Sequence, residues 1–110
     1  MELSNKKMDG ISVLEVKGEI DANTAPELIK GMEPLISPGC KILMNLQEVT
    51  FMSSAGLRSM VVLYRQVSGS KGKIGLTGLS EEVEDTMAAT GFLKFFSVFD
   101  TAEAALEGLK

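Results

Sequence analysis

Val49-Thr50-Phe51-Met52-Ser53-Ser54-Ala55-Gly56-Leu57-Arg58 joins an apolar run to two hydroxyls and a glycine just where a helical pattern begins. Downstream, Leu57, Met60, Val61, Tyr64 and Val67 recur at three- and four-residue spacing, as one buried helix face requires. The spacing predicts a helix over residues 53–67 that opens at Ser53 or Ser54. Either hydroxyl can cap the free N–H groups of the first turn, and the same end accommodates a phosphate through those donors and the helix dipole. Capping and modification thus compete for one position. Gly56 falls in the first turn, where glycine costs about 1 kcal/mol against alanine. Its presence there predicts the close approach of another backbone, such as that of a partner.

The pattern on either side of this stretch alternates strands with helices. Asp9-Gly10 is a two-residue turn signal between a polar segment at residues 2–8 and Ile11-Ser12-Val13-Leu14-Glu15-Val16, which predicts an opening hairpin. Thr24-Ala25-Pro26-Glu27 reads as a capping box with proline in the first turn, ahead of Leu28, Ile29, Met32, Leu35 and Ile36, and Ser37-Pro38-Gly39 ends that helix. Lys41-Ile42-Leu43-Met44-Asn45-Leu46 is nearly continuous in apolar residues, as expected of a central strand covered on both faces. After the helix at 53–67, Ser68-Gly69-Ser70-Lys71-Gly72 is a loop before a strand at residues 73–77. Ser80 caps a helix that Gly91 ends. Phe95-Phe96-Ser97-Val98-Phe99 reads as the last strand, and Asp100-Thr101-Ala102-Glu103 as the capping box of a terminal helix with Ala105, Leu106 and Leu109 inward. The order ββαβαβαβα predicts an α/β fold: one domain over residues 1–110, with a mixed, mostly parallel sheet of four to five strands and four helices.

Composition bounds the chemistry. The 110 residues are 45% hydrophobic and 24% charged, a folded composition whose core must be aliphatic, because there is no Trp, one Tyr and five Phe beside seven Met. With 11 basic and 15 acidic residues, the formal charge of −4 argues against direct attraction to nucleic acid or to an anionic membrane. Cys40 stands alone, which excludes an internal disulfide and a multi-cysteine metal site. The absence of histidine removes Ser-His-Asp catalysis, histidine metal ligation and histidine phosphorelay from the chain's repertoire. With no glycine-rich phosphate loop either, the expectation is an apo domain without cofactor or metal. The segment 1–7 lacks the apolar core of a signal peptide, and no apolar run approaches the roughly 20 residues that span a bilayer. The expected location is the cytoplasm.

Three segments together carry a resemblance: Gly18-Glu19-Ile20-Asp21; Phe51-Met52-Ser53-Ser54-Ala55-Gly56-Leu57; and the close from Phe96-Ser97-Val98-Phe99 through Asp100-Thr101-Ala102-Glu103-Ala104-Ala105-Leu106. In these the chain resembles the STAS domain of bacterial anti-sigma factor antagonists, over nearly its whole length. The resemblance implies a switch and not an enzyme. A serine at the start of the second helix is phosphorylated by a partner, an anti-sigma factor kinase of the GHKL ATPase type. The unphosphorylated form binds that kinase and frees a sigma factor, and a serine phosphatase reverses the modification. The position matching the acceptor is Ser54. Ser53 stands where well-known members carry an aspartate, which makes it the second candidate hydroxyl. By the same resemblance the partner-binding residues are Glu19, Asp21, Asn23 and Thr24 in one loop with Ser53, Ser54, Ala55, Gly56, Leu57 and Arg58 in the other segment.

Plainer readings and two rival classes stand beside this one. A Ser-Ser pair before a helix is ordinarily only a cap, Asp21 a solvated turn residue and Arg58 a surface charge. The cluster Glu81-Glu82-Glu84-Asp85 meets a helix N-terminus, where carboxylates stabilise the dipole, and is read as that and not as a metal site. A phosphoacceptor of response-regulator type would need paired aspartates after the first long strand or at the end of residues 42–46, and neither place has them. The remaining alternative is a constitutive STAS-like partner-binding subunit of a signalling or lipid-transport complex, with Ser54 only a helix cap.

Overall fold

Asp9 and Gly10 both adopt positive φ, 54° and 79°, and fold β1 (Glu2–Met8) antiparallel onto β2 (Ile11–Ile20) with Met8 opposite Ile11. A two-residue turn of this hand matches the twist of the strands that it joins. The computed structural model describes residues 1–110, and all later strand pairings in it are parallel. β3 (Lys41–Met52) lies between β2 and β4 (Lys73–Thr77), and β5 (Ser97–Phe99) forms the far edge, so the sheet order follows the chain, β1-β2-β3-β4-β5. The element order is the ββαβαβαβα read from the sequence, with five strands and four α-helices.

Parallel neighbours require crossovers, and three that step across the sheet in one direction with one hand put their helices on one face. α1 (Ala25–Met32), α2 (Ser54–Gly69) and α3 (Glu81–Ala89) accordingly share the larger core, built on Leu14, Val16, Ile20, Ile42, Met44, Leu46, Val49 and Met52 from the strands. α4 (Ala102–Leu109) covers the other face, where Ala105 and Leu109 pack on Ile11, Val13 and Leu43. Residues 42–44 are thus buried from both sides, as their continuous apolar run requires. The rest of that second face is uncovered and polar. It carries the ion pairs Lys6–Glu15 at 3.6 Å and Lys17–Glu48 at 3.2 Å, and the Glu48 hydrogen bond raises the Lys17 pKa above the ordinary lysine value.

β3 is longer than its sequence pattern suggests, because it carries two extra residues against β2. Glu15 pairs with Asn45 but Lys17 with Glu48, and Gly18 pairs with Val49 but Glu19 with Phe51. At each bulge the two-residue alternation slips, so Leu46, Val49 and Met52 all enter the core at intervals of three while Thr50 and Phe51 stay exposed.

Several sequence expectations shift. α1 stops at Met32 and continues only as a short 3₁₀ turn, Glu33–Leu35, because Pro34 has no N–H to give and its ring opposes the carbonyl four residues back. Thr24 is its N-cap residue, but the capping box does not form, since the Thr24 hydroxyl is engaged elsewhere. Phe95 belongs to a 3₁₀ turn, Leu93–Phe95, stacked near Tyr64 with ring centroids 5.5 Å apart, and the last strand begins at Ser97. In α2 the buried stripe runs through Leu57, Met60, Leu63 and Val67, with Val61 and Tyr64 half-buried at its margin. Val62 and Leu63 therefore separate the two faces of α2 at adjacent positions, the former 41% exposed and the latter wholly buried. Leu63→Ala is expected to cost about 2–5 kcal/mol and Val62→Ala less than about 0.5 kcal/mol, read as shifts in the urea midpoint at constant slope.

Candidate functional site

The carboxyl ends of β2 and β3 lie side by side, with Ile20 opposite Met52, and each strand runs almost directly into a helix. The N-termini of α1 and α2 therefore open at the same edge of the sheet, which is the edge where ligands meet parallel α/β folds. Ser53 follows the strand with φ −82° and ψ 174°, and its Oγ accepts the Gly56 N–H at 3.1 Å. Its backbone C=O accepts the Leu57 N–H at 2.9 Å. It is the N-cap of α2 in full. Ser54 is the first helical residue; it is exposed, and its hydroxyl makes no hydrogen bond within the chain. The reading of Ser54 as a helix cap is corrected: Ser53 does the capping.

Gly56 is buried, and the backbone that approaches it is the chain's own. A Cβ placed there would fall on the Ile20 carbonyl, which also accepts the Ser53 N–H at 2.9 Å. The expectation that a partner's backbone explains this glycine is therefore replaced by an intramolecular contact between β2 and the first turn of α2. Ser59 tightens that turn, its buried Oγ donating to the Gly56 carbonyl at 2.6 Å. Leu57 is 2% exposed and points into the core. Of the segment named from the sequence, Gly56 and Leu57 support the surface from beneath, Ser53 and Ala55 are half-buried, and Ser54 and Arg58 are fully presented to solvent.

The second part is the segment from Glu19 to Thr24, formed by the last two residues of β2 and the loop that follows. The Asp21 Oδ1 accepts the backbone N–H groups of Asn23 at 2.9 Å and Thr24 at 3.0 Å, an Asx turn that takes the place of the absent capping box. The Thr24 hydroxyl accepts the Asp21 N–H at 2.9 Å and donates to the Glu19 carbonyl at 2.7 Å, closing the loop on itself. Asp21 and Thr24 hold the loop, and Glu19 and Asn23 are exposed on it. Ile20 sits immediately before the loop and touches Gly56, so the two segments form one continuous ledge.

Phe51 belongs to the same edge and escaped the sequence reading. It pairs in register with Glu19, and at 44% exposure it is the most open of the large apolar side chains. Only the bulge opposite Gly18 turns it outward, and an apolar run gives no sign of a bulge. None of the five main clefts is lined by residues 19–24 or 51–58. A surface outside these clefts suits a macromolecular partner better than a small ligand held in a pocket. Gly56→Ala is expected to reverse the usual helical preference: alanine should gain about 1 kcal/mol, but displacing Ile20 should leave a net loss of about 2 kcal/mol. Gly69, in open space on the last turn of the same helix, supplies the control, since Gly69→Ala should be neutral or slightly stabilising in the same thermal melts.

The sequence and fold both have relatives. The STAS domain family matches residues 2–105. BtrV of Bordetella bronchiseptica is 27% identical over 111 aligned positions, which take in 100% of this chain and 96% of that protein. The anti-sigma-B factor antagonist of Listeria monocytogenes is 30% identical over 92 residues, 83% of this chain and 80% of its own length. Among solved structures, the crystal structure of an anti-sigma factor antagonist from Mycobacterium paratuberculosis superposes with a TM-score of 0.85 at 27% identity, covering 98% of this chain and 92% of the other. A match over nearly the whole chain, on a sheet and helix order built independently from its residues, makes the protein a member of the STAS domain family, among the anti-sigma factor antagonists.

Proposed function

We propose that this chain is a cytoplasmic partner switch: its unphosphorylated form binds an anti-sigma factor that is also a serine kinase of the GHKL ATPase type, and thereby frees a sigma factor. Ser54 is the phosphoacceptor. Its hydroxyl gives up its proton to the partner's active site or to solvent as the oxygen takes the terminal phosphoryl group of the ATP held by the partner, ADP leaves, and the modified surface no longer binds. A serine phosphatase hydrolyses the phosphoserine and restores the first state. The chain is regulatory and catalyses neither step.

The observation that supports this reading is the division of labour between the two serines. The Ser53 Oγ is committed to the Gly56 N–H, whereas the Ser54 Oγ is exposed and unbonded at the first position of α2. A kinase can reach it without breaking any hydrogen bond of the fold. A phosphate placed there adds about −1.5 to −2 charge at the end of a helix that tolerates negative charge, so the domain should stay folded. It also joins Glu19 and Asp21 on one ledge, where like charge and bulk oppose a partner that fits the bare surface. Loss of close packing together with that repulsion is expected to weaken binding by about a hundredfold.

The alternative of a constitutive partner-binding subunit loses its premise for Ser54, whose hydroxyl is not used as a cap. The two readings separate on incubation with the cognate kinase and ATP. Ser54→Ala should abolish labelling and retain partner binding, and Ser54→Asp should weaken binding with an unchanged circular dichroism spectrum. Ser53→Asp keeps an oxygen acceptor for the Gly56 N–H and should remain a substrate. Ser53→Ala is the poorer control, because removing the cap costs about 1 kcal/mol at the same helix end. If Ser54→Ala is still labelled, the acceptor lies elsewhere; if the wild type is not labelled at all, the constitutive reading replaces this one.

A further inference from the structure

Arg58 follows Ser54 by four residues on the uninterrupted helix α2, Ser54–Gly69. Positions four apart on a helix are neighbours, with about 5–6 Å between their Cβ atoms. Both side chains are exposed, and neither is engaged: the ion pairs of the chain involve Lys6, Lys17 and Lys110, and no side-chain hydrogen bond includes Ser54 Oγ or the Arg58 guanidinium. A guanidinium on a long stem beside a free hydroxyl has nothing to hold while the hydroxyl is unmodified. A phosphate on that hydroxyl presents three acceptor oxygens within its reach, and arginine's planar fork matches two of them at once.

We propose that Arg58 is the intramolecular latch for a phosphate on Ser54, a positioning residue that draws the modification back along α2. This inference rests on Ser54 being the acceptor. It gives phosphorylation two effects on the ledge instead of one. The phosphate adds charge and bulk at the first turn, and the same event withdraws the Arg58 cation from the surface offered to a partner. Glu19 and Asp21, on the loop that adjoins the first turn through Ile20, oppose the phosphate electrostatically, and Arg58 is the cation that the helix itself supplies against them.

The test needs no kinase. Phosphoserine is placed at position 54 during translation, and its second ionisation, ordinarily near a pKa of about 6, is followed by phosphorus NMR. The carboxylates of the loop are common to all variants, so a difference between the native chain and Arg58→Gln isolates the arginine. With the latch, the native phosphoserine should ionise about half a pH unit lower than in Arg58→Gln, the size expected of an exposed helical ion pair, and the difference should vanish in about 1 M salt. Arg58→Lys should give an intermediate value, because a point charge replaces the fork. Arg65→Gln, nearly two turns further along, should change nothing. Because Arg58 is exposed, these variants should fold; as a second measurement, Ser54→Asp should melt higher with Arg58 than with Arg58→Gln. Equal ionisation in the native and Arg58→Gln proteins would overturn the latch and leave Ser54 as the acceptor. Failure of the cognate kinase to label Ser54 would overturn the acceptor reading by a separate experiment.

Discussion

The contact between Gly56 and the Ile20 carbonyl fixes the rest of the site. That carbonyl ends β2, accepts the Ser53 N–H, and occupies the space where any larger residue at position 56 would put its Cβ. The first turn of α2 is therefore pressed onto the end of the neighbouring strand. One consequence is orientation: with Ser53 and Gly56 turned inward, the next side chains round the helix, Ser54 and Arg58, must face solvent. Another is rigidity, since the helix end is held by its cap, by a strand-to-helix hydrogen bond and by the Ser59 hydroxyl on the Gly56 carbonyl.

The same contact joins two segments that lie about thirty residues apart in sequence. Parallel strands deliver all their carboxyl ends to one edge, so the loop after β2 and the turn after β3 become neighbours by topology alone. The Asx turn at Asp21 then spares the α1 N-terminus a conventional cap and leaves Glu19 and Asn23 free. Asp21 and Thr24 thus carry the shape of the ledge, while Glu19, Asn23, Ser54, Arg58 and Phe51 carry its outward chemistry. In the proposed partner switch a residue can matter in either way, and substitution at Asp21 or Gly56 would act through the fold of the ledge where substitution at Glu19 or Arg58 would act through contact.

Most of the architecture was legible because each element carried its own punctuation. Asp9-Gly10 specified the hairpin, Ser80 the cap of α3, and the doubly apolar run at residues 42–44 the central strand, whereas α4 is capped by Thr101, one residue past the Asp100 at which a capping box with Glu103 would begin. What was not legible depends on contacts between distant segments. Thr24 and Glu27 have the spacing of a capping box, yet the Thr24 hydroxyl is claimed by the Glu19 carbonyl across the loop. Gly56 showed that something approaches closely, but only the packing of α2 on β2 identifies it as Ile20. The bulges in β3 are a property of its pairing with β2, so the exposure of Phe51 has no local signature. The capping role was the reverse case: two serines of equal chemistry became distinguishable once the Gly56 N–H was seen to engage Ser53.

A switch built on such a site differs from one built on a flexible loop. An ordered first turn holds an added phosphate at a defined place, so little of the response is spent on rearranging the fold, and most of it appears as a change in the surface. The uncharged cap at Ser53 bears on this balance. A carboxylate there would both cap the helix and repel a phosphate on the adjoining residue, whereas the Ser53 hydroxyl caps without charge. In the proposed switch, a phosphate on Ser54 would therefore be spared one repulsion at its nearest neighbour and offered one attraction a turn away at Arg58. Both features would lower the free energy of that proposed modified form without touching the core, and both would leave the bare ledge unaltered in shape.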